Sequence, residues 1–299
     1  MKKDIKSLGI HKNLYKNVNF RFLLNVFDKM SFSREFEKQV AINREKNFVK
    51  TLVYLSLGQE SIPATISLLF NNPWILFQHR GHSHYLSFGG DKEKLVGELL
   101  GLESGSNKGM GGSPPIQDFN KRIIGHSGLI GDHVPIACGL SMKIKKKEKV
   151  VCFFGDGAAE EDYVLASLGF AISKKLPILF ICEDNNLSVL TTVKERRSWN
   201  ISSVAKGFNM NSCDITDDPM LIKEKVNFYK NKLPALINIR TCRELWHEGT
   251  GSDGTPEWSR YELIKKHLKK KNFSEELIKI EKKNIKINNE LWQKQLQKL

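Results

Sequence analysis

Two patterns of apolar residues alternate along this chain. Long stretches place apolar side chains every three or four residues, and short unbroken apolar runs end in glycine, aspartate or asparagine. The first pattern predicts helices, and the second predicts strands buried on both faces. Residues about 14–48 carry Leu14, Val18, Phe20, Phe22, Leu23, Val26 and Phe27 with no internal proline, which predicts an N-terminal helical arm. A second helix starts near Gln59 with Ile62, Ile66, Leu69 and Phe70 and stops at Asn71-Asn72-Pro73. Strands follow at Trp74 to Phe77, Val150 to Phe154, Ile178 to Cys182 and Ala235 to Ile239, with helical spacing between the later ones. Residues about 260–299 read as amphipathic helix, its apolar set running from Leu277 and Ile278 to Leu291 and Trp292.

Strand, helix and strand at this spacing build a right-handed crossover with parallel strands. The expected fold is therefore α/β, a mainly parallel sheet with helices on both faces and helical extensions at both ends. At 299 residues, 40% of them hydrophobic, the chain can bury this core as a single domain over 1–299. Residues 78–139 break the pattern. They are rich in glycine, show little periodicity and hold His79, His82, His84, His126 and His133, five of the eight histidines. Singly, each is an ordinary surface histidine; together they read as long functional loops.

Composition narrows the class. No apolar run approaches the roughly 20 residues of a membrane span, and the N-terminus lacks the apolar segment of a secretory signal, so a cytoplasmic protein with no membrane partner is expected. The five cysteines show no CxxC spacing, which predicts reduced, mostly buried thiols. The net charge of +14 suggests nucleic acid, but its densest runs, residues 143–149 and 265–271, lie apart and lack interleaved aromatics. They read as solvated lysine faces, and no nucleic-acid partner is expected.

Candidate chemistry sits at two strand ends. One strand runs into Gly155-Asp156-Gly157, and the next delivers Asn185-Asn186, with Asn185 29 residues after Asp156. A carboxylate and an amide thus share the carboxyl edge of the sheet, where ligands bind. Gly157 and Ala158 are expected to open a helix whose free N–H groups face an anion, for which phosphate is the natural occupant. Asp156, Asn185 and the Leu187 carbonyl, completed by two diphosphate oxygens and a water, make an octahedron suited to Mg2+. No GxxxxGK[ST] is present, and the cluster Gly109-Met110-Gly111-Gly112-Ser113 lacks GxGxxG spacing.

The segment from Gly155-Asp156-Gly157 to Asn185-Asn186 resembles the thiamine-diphosphate motif. With Ala158-Ala159 and Leu176-Pro177, it resembles the α subunit of 2-oxo acid dehydrogenase E1 components, including the acetoin dehydrogenase branch. Gly58-Gln59-Glu60, His79-Arg80-Gly81-His82, Gly109 to Ser113, Gly128-Leu129-Ile130-Gly131 and Arg243 with His247 extend the likeness over most of the chain. The resemblance implies that Gly157, Ala158, Arg80, Arg243 and His247 hold the cofactor diphosphate, with His79 where the family often has tyrosine. It implies that the Gly128 carbonyl and the Ile130 N–H bind the aminopyrimidine, and that Mg2+ sits on Asp156, Asn185 and Leu187. His82 and His247 are candidate proton donors or acceptors, with His133 behind them.

The glutamate that activates the cofactor lies, in this family, on a second α/β domain that the chain has no room for. Glu60, at a predicted helix start, reads as structural. The resemblance therefore implies a β-type partner subunit in an α2β2 assembly, a small 2-oxo acid or hydroxyketone substrate, and a lipoyl acyltransferase as the acceptor. Three departures bear on the substrate. Tyr54 replaces a histidine, Pro114-Pro115 replaces Met-His after the GGS segment, and Glu248 follows His247 where a phosphorylatable serine is common. Two alternatives stay open: the N-terminal half of a split transketolase, which the segment from Gly155-Asp156-Gly157 to Asn185 also resembles, and, on Tyr54 and the two prolines, a biosynthetic thiamine enzyme without a lipoyl acceptor.

Overall fold

The protein is described by a computed structural model that covers residues 8–16 and 18–299. Its strands are β1 (Trp74–Leu76), β2 (Ile123–Ile124), β3 (Val150–Gly155), β4 (Ile178–Asp184), β5 (Leu187–Ser188), β6 (Thr191–Thr192), β7 (Asn211–Thr216) and β8 (Ala235–Arg240). Six of them form one sheet in the order β2-β1-β3-β4-β8-β7, and every pair in it is parallel. β5 and β6 make a separate antiparallel hairpin just after β4.

The solid apolar runs predicted β1, β3, β4 and β8 of this sheet, whereas β2, two residues long, and β7, with its polar Asn211, Ser212 and Asp214, were not read. Along β3, Val151 and Phe153 enter one core while Val150, Cys152 and Phe154 enter the other, so a strand covered on both faces needs apolar residues at both parities. One face packs against the N-terminal helix Phe20–Glu45 and against Leu291 and Trp292 of the last helix. The other packs against the helices His133–Ser141, Asp162–Lys174 and Ile201–Gly207. All five cysteines are buried thiols outside any disulfide. Among the described residues no helix is long and apolar enough to cross a membrane.

The helical arms match their expected places, with tighter limits. The first helix runs Phe20–Glu45, and the C-terminal region forms Arg260–Lys269 and Ser274–Leu296. Asn284 Nδ2 donates to the Asp28 carbonyl at 3.1 Å and Asn288 Nδ2 to that of Phe32 at 3.3 Å, which ties the last helix to the first. A buried ion pair, Arg260 Nε to Asp217 Oδ1 at 2.8 Å, fastens the C-terminal arm to the end of β7.

The expectation of aperiodic loops over residues 78–139 is corrected by the fold. Three helices, His82–Ser87, Lys92–Leu99 and His133–Ser141, lie within that stretch or overlap its end. Each is too short to show a period in sequence. The second is set by its cap, where the Asp91 carboxylate accepts from the N–H groups of Glu93 and Lys94.

Strand order also locates the site. From β1 the chain leaves towards β2 at one edge, and from β3 it leaves towards β4 on the other side. Adjacent strands with diverging exits leave a crevice outside their carboxyl ends. Gln78-His79-Arg80 leaves β1 there, and Gly155-Asp156-Gly157 ends β3.

Candidate active site

The register of β3 on β4 pairs Gly155 with Glu183, so Asp156 and Asn185 emerge side by side as the spacing required. Both line a cleft of about 120 Å³ with Gly157, Ala158 and Leu187. His79, Arg80, Ile130 and His247 complete its lining. A larger hollow, about 690 Å³, lies between the N-terminal turn and the helix Arg260–Lys269. Its lysines face solvent with none of this convergence, and size alone does not mark the site.

The oxygen donors are oriented by their neighbours. Asn185 Nδ2 donates to Gln59 Oε1 at 2.9 Å, which turns Oδ1 the other way, and that oxygen accepts from the Leu187 N–H at 3.0 Å with a lone pair left over. Gln78 Oε1 accepts from the Gly155 N–H at 2.7 Å and fixes the turn before Asp156. Burial and the neighbouring Asp184 push the Asp156 carboxyl up to about 7, against the pull of Arg196 and Arg197. Arg196 pairs with the Asp156 carboxylate and, at 2.8 Å, with Glu160, while Arg197 donates to the Asp156 carbonyl at 2.8 Å.

One expectation about the turn changes. Gly157 and Ala158 open a single turn of 3-10 helix, Ala158–Glu160, and the α-helix begins only at Asp162 because Glu161 is extended. The leading N–H groups of that turn still lack partners within it. A Cβ on Gly157 would lie 2.8 Å from Ser188 Oγ, so glycine is what lets the β5–β6 hairpin close over this point.

Beside the oxygen donors stand two guanidinium groups, Arg80 and Arg243, and two imidazoles, His79 and His247. Arg80 donates to the carbonyls of Leu55 at 2.6 Å and His247 at 3.1 Å. Arg243 holds Asp253 at 2.6 Å and the Val189 carbonyl at 2.7 Å, and its Nη1 is buried without a partner. His79 stacks edge-on against Tyr54, its ring 5.3 Å from that of His247, and its Nδ1 is also buried and unpartnered. Burial and the nearby Arg80 hold His79 well below the ordinary imidazole range. Burial, Arg80 and Arg243 bring His247 down to about 4, and burial with Arg243 brings Arg80 down to about 10. Two neighbouring guanidinium groups, with buried donors left over at Arg243 and His79, are what an anion relieves.

The residues therefore fit a magnesium diphosphate. Asp156 and Asn185 Oδ1 are hard oxygen ligands beside Leu187, and Arg243 Nη1 with the Gly157 turn offers donors to phosphate. Of the other expected groups, Ile130 lines the cleft, while Gly128 stands in the exposed loop at its rim with φ +108°, a backbone that glycine tolerates.

His82 is the exception. It is fully buried outside the cleft, with Nδ1 2.9 Å from Glu37 Oε2 and Nε2 2.8 Å from Ser113 Oγ. Both ring nitrogens are engaged, so the structure gives it a positioning place: Ser113 Oγ also accepts from the Tyr54 N–H at 3.3 Å. Glu60 is structural as expected, bonded to Arg34 and to the Gly58 N–H. The sequence reading missed Gln59 and Gln78, and it missed Arg196 and Arg197. The signal available was the run Lys194-Glu195-Arg196-Arg197 soon after Asn185.

Comparison with known proteins gives the chain a family. The profile of the family described as "Dehydrogenase E1 component" matches residues 28–297. The chain is 33% identical over 174 residues to the α subunit of acetoin:2,6-dichlorophenolindophenol oxidoreductase of Cupriavidus necator, covering 57% of this chain and 52% of that one. To the protein of the same name from Bacillus subtilis it is 30% identical over 233 residues, 74% of this chain and 70% of the relative. The match thus spans about half the length of the first relative and over two thirds of the second. Transketolase from Campylobacter jejuni superposes with a TM-score of 0.59 over 94% of this chain and 49% of its own, at 18% identity, which shows a shared fold and no more. The family match decides against the split-transketolase alternative, and this chain belongs to the dehydrogenase E1 component family.

Proposed function

We propose that this chain is the α-type half of a thiamine-diphosphate- and Mg2+-dependent E1 enzyme that cleaves a 2-oxo acid or acetoin-like hydroxyketone. The observation that carries the reading is the cleft itself, where an oriented carboxylate–amide pair shares the lining with Arg80 and with His79, whose Nδ1 is buried and unpartnered, while Arg243 reaches the lining at the Val189 carbonyl with Nη1 to spare. Asp156, Asn185 and the Leu187 carbonyl hold the metal. Gly157, Ala158, Arg80, Arg243 and His247 hold the diphosphate, and the loop at Gly128 and Ile130 takes the aminopyrimidine. Bound there, the cofactor supplies the electron sink that lets the bond beside a carbonyl break. His247 has the reach to move a proton at the substrate side, where Tyr54 packs against it with ring centres 5.4 Å apart.

A partner completes the site in this reading. Among the described residues that line the cleft, Asp156 is the one carboxylate, and Glu60 is held by Arg34. Leu129, Ile130, Ile136 and Met142 stand exposed in and after the rim loop, as an uncovered contact surface would. They support a β-type subunit that covers this rim and carries the activating glutamate; an α2β2 assembly and acyl transfer to a lipoyl acyltransferase complete the proposed reading. The buried, reduced cysteines support a cytoplasmic setting. A second reading, a biosynthetic step without lipoyl transfer, rests on Tyr54, which stands where the family often has histidine and packs edge-on against His79 and His247.

The test is turnover of pyruvate and acetoin with thiamine diphosphate, Mg2+ and a redox dye, by the chain alone and with a co-expressed β-type subunit. Turnover is expected only in the complex. Robust activity of the isolated chain would overturn the reading, as would a complex whose melting temperature ignores the cofactor.

A further inference from the structure

Three potential metal ligands meet at the rim of the cleft and take no part in the site above. His126, Asp132 and His133 each place a ligand atom within 4.8 Å of the other two. His126 and His133 are buried, and the Asp132 carboxylate is partly open to solvent. His126 Nδ1 lies 3.2 Å from Asp132 Oδ1, and His133 Nδ1 lies 3.8 Å from the same oxygen.

The hydrogen bonds around the cluster fix its chemistry. His133 Nε2 donates to the Phe153 carbonyl at 2.7 Å, which places the proton on that nitrogen. Nδ1 is then left buried with no hydrogen-bond partner, its lone pair facing a carboxylate. Two electron-rich atoms held towards one another are stabilised by a cation between them. An imidazole whose second nitrogen donates to a backbone carbonyl is also the usual support of a metal-ligating histidine. Asp132 is steadied in turn, because Ser127 Oγ donates to its other oxygen.

We infer that His126, Asp132 and His133 form a site for a first-row divalent cation, with zinc as the best match. Two imidazoles and a carboxylate suit zinc and are poor ligands for Mg2+, which prefers oxygen. Bonds of about 2.0–2.1 Å in a tetrahedron put neighbouring ligand atoms roughly 3.4 Å apart, between the two separations found here. The fourth position, on the open side of Asp132, takes water. Such an ion ties the loop of Gly128 and Ile130 to the start of the helix His133–Ser141 and to the end of β3. It is separate from the Asp156 cleft, and the inference stands whether or not the cofactor reading does.

The full chain, stripped with a chelator, tests this by calorimetric titration with zinc and by the visible spectrum of its cobalt form. One tight zinc per chain and the intense bands of tetrahedral cobalt are expected. Asp132→Asn, which keeps shape at a partly open position, and His133→Asn should each weaken zinc by at least about 10-fold. Asp156→Asn should leave zinc binding as it was. The absence of tight zinc uptake and of tetrahedral cobalt bands in the parent chain would overturn the site and leave only the hydrogen bond of His126 with Asp132. Equal uptake by the parent and by a folded Asp132→Asn variant would overturn it too, by assigning the metal elsewhere.

Discussion

Arg243→Met separates the parts of the cation cluster. In the parent, the Arg243 guanidinium spends Nε on Asp253 and Nη2 on the Val189 carbonyl, which leaves the buried Nη1 to meet an anion. A charge-assisted hydrogen bond contributes about 1.5–3 kcal/mol, and each 1.4 kcal/mol is about tenfold in affinity. Thiamine diphosphate with Mg2+ should therefore bind about 10- to 150-fold more weakly to Arg243→Met, measured by calorimetry. The loss has a competing source, because the variant also frees the loop that Asp253 anchors. Asp253→Asn isolates that effect, since it loosens the loop but keeps the guanidinium, and its loss should be smaller. A second readout needs no cofactor. Burial, Arg80 and Arg243 bring His247 down to about 4 from 6.5, so removing one of the two cations should raise it part of the way back, followed by NMR titration. Unchanged cofactor affinity in a folded Arg243→Met chain would refute the diphosphate assignment. An unmoved His247 would refute the electrostatic account of the cluster.

Two further outcomes follow from the fold. Arg260→Met leaves the fully buried Asp217 without its cation and should cost about 3–5 kcal/mol in urea unfolding, while the double variant with Asp217→Asn should recover much of it. His247 and His126 are both brought down to about 4, so the unfolded chain takes up protons near 6.5 that the folded chain refuses. Their contribution to stability is whole above pH 6.5 and is lost as pH falls towards 4; thermal melts should show that decline, with a shallower one for His247→Asn.

How much was legible in sequence depended on whether a feature is local. The strands Val150 to Phe154 and Ile178 to Cys182 could be read directly, because a strand buried on both faces has an apolar residue at every position. Their parallel pairing followed from the crossover between them, and with it the meeting of Asp156 and Asn185. The short helices of residues 82–99 could not be read, since a helix of two turns offers no period and is fixed by packing and a cap. Histidine identity was likewise blind to environment. His82 and His79 stand three residues apart in one motif, yet one is locked between Glu37 and Ser113 and the other faces the cleft.

The sequence by itself thus determined four of the sheet's six strands, its carboxyl edge and the meeting of Asp156 with Asn185, all of which depend on spacing along one stretch of chain. Tertiary structure alone decided that Gln59 orients Asn185 from 126 residues away and that Arg196 reaches Asp156. It also placed Asp132 between two histidines. Those contacts depend on how distant segments pack, and charge, burial and donor direction at a point in space are set by every segment that reaches it.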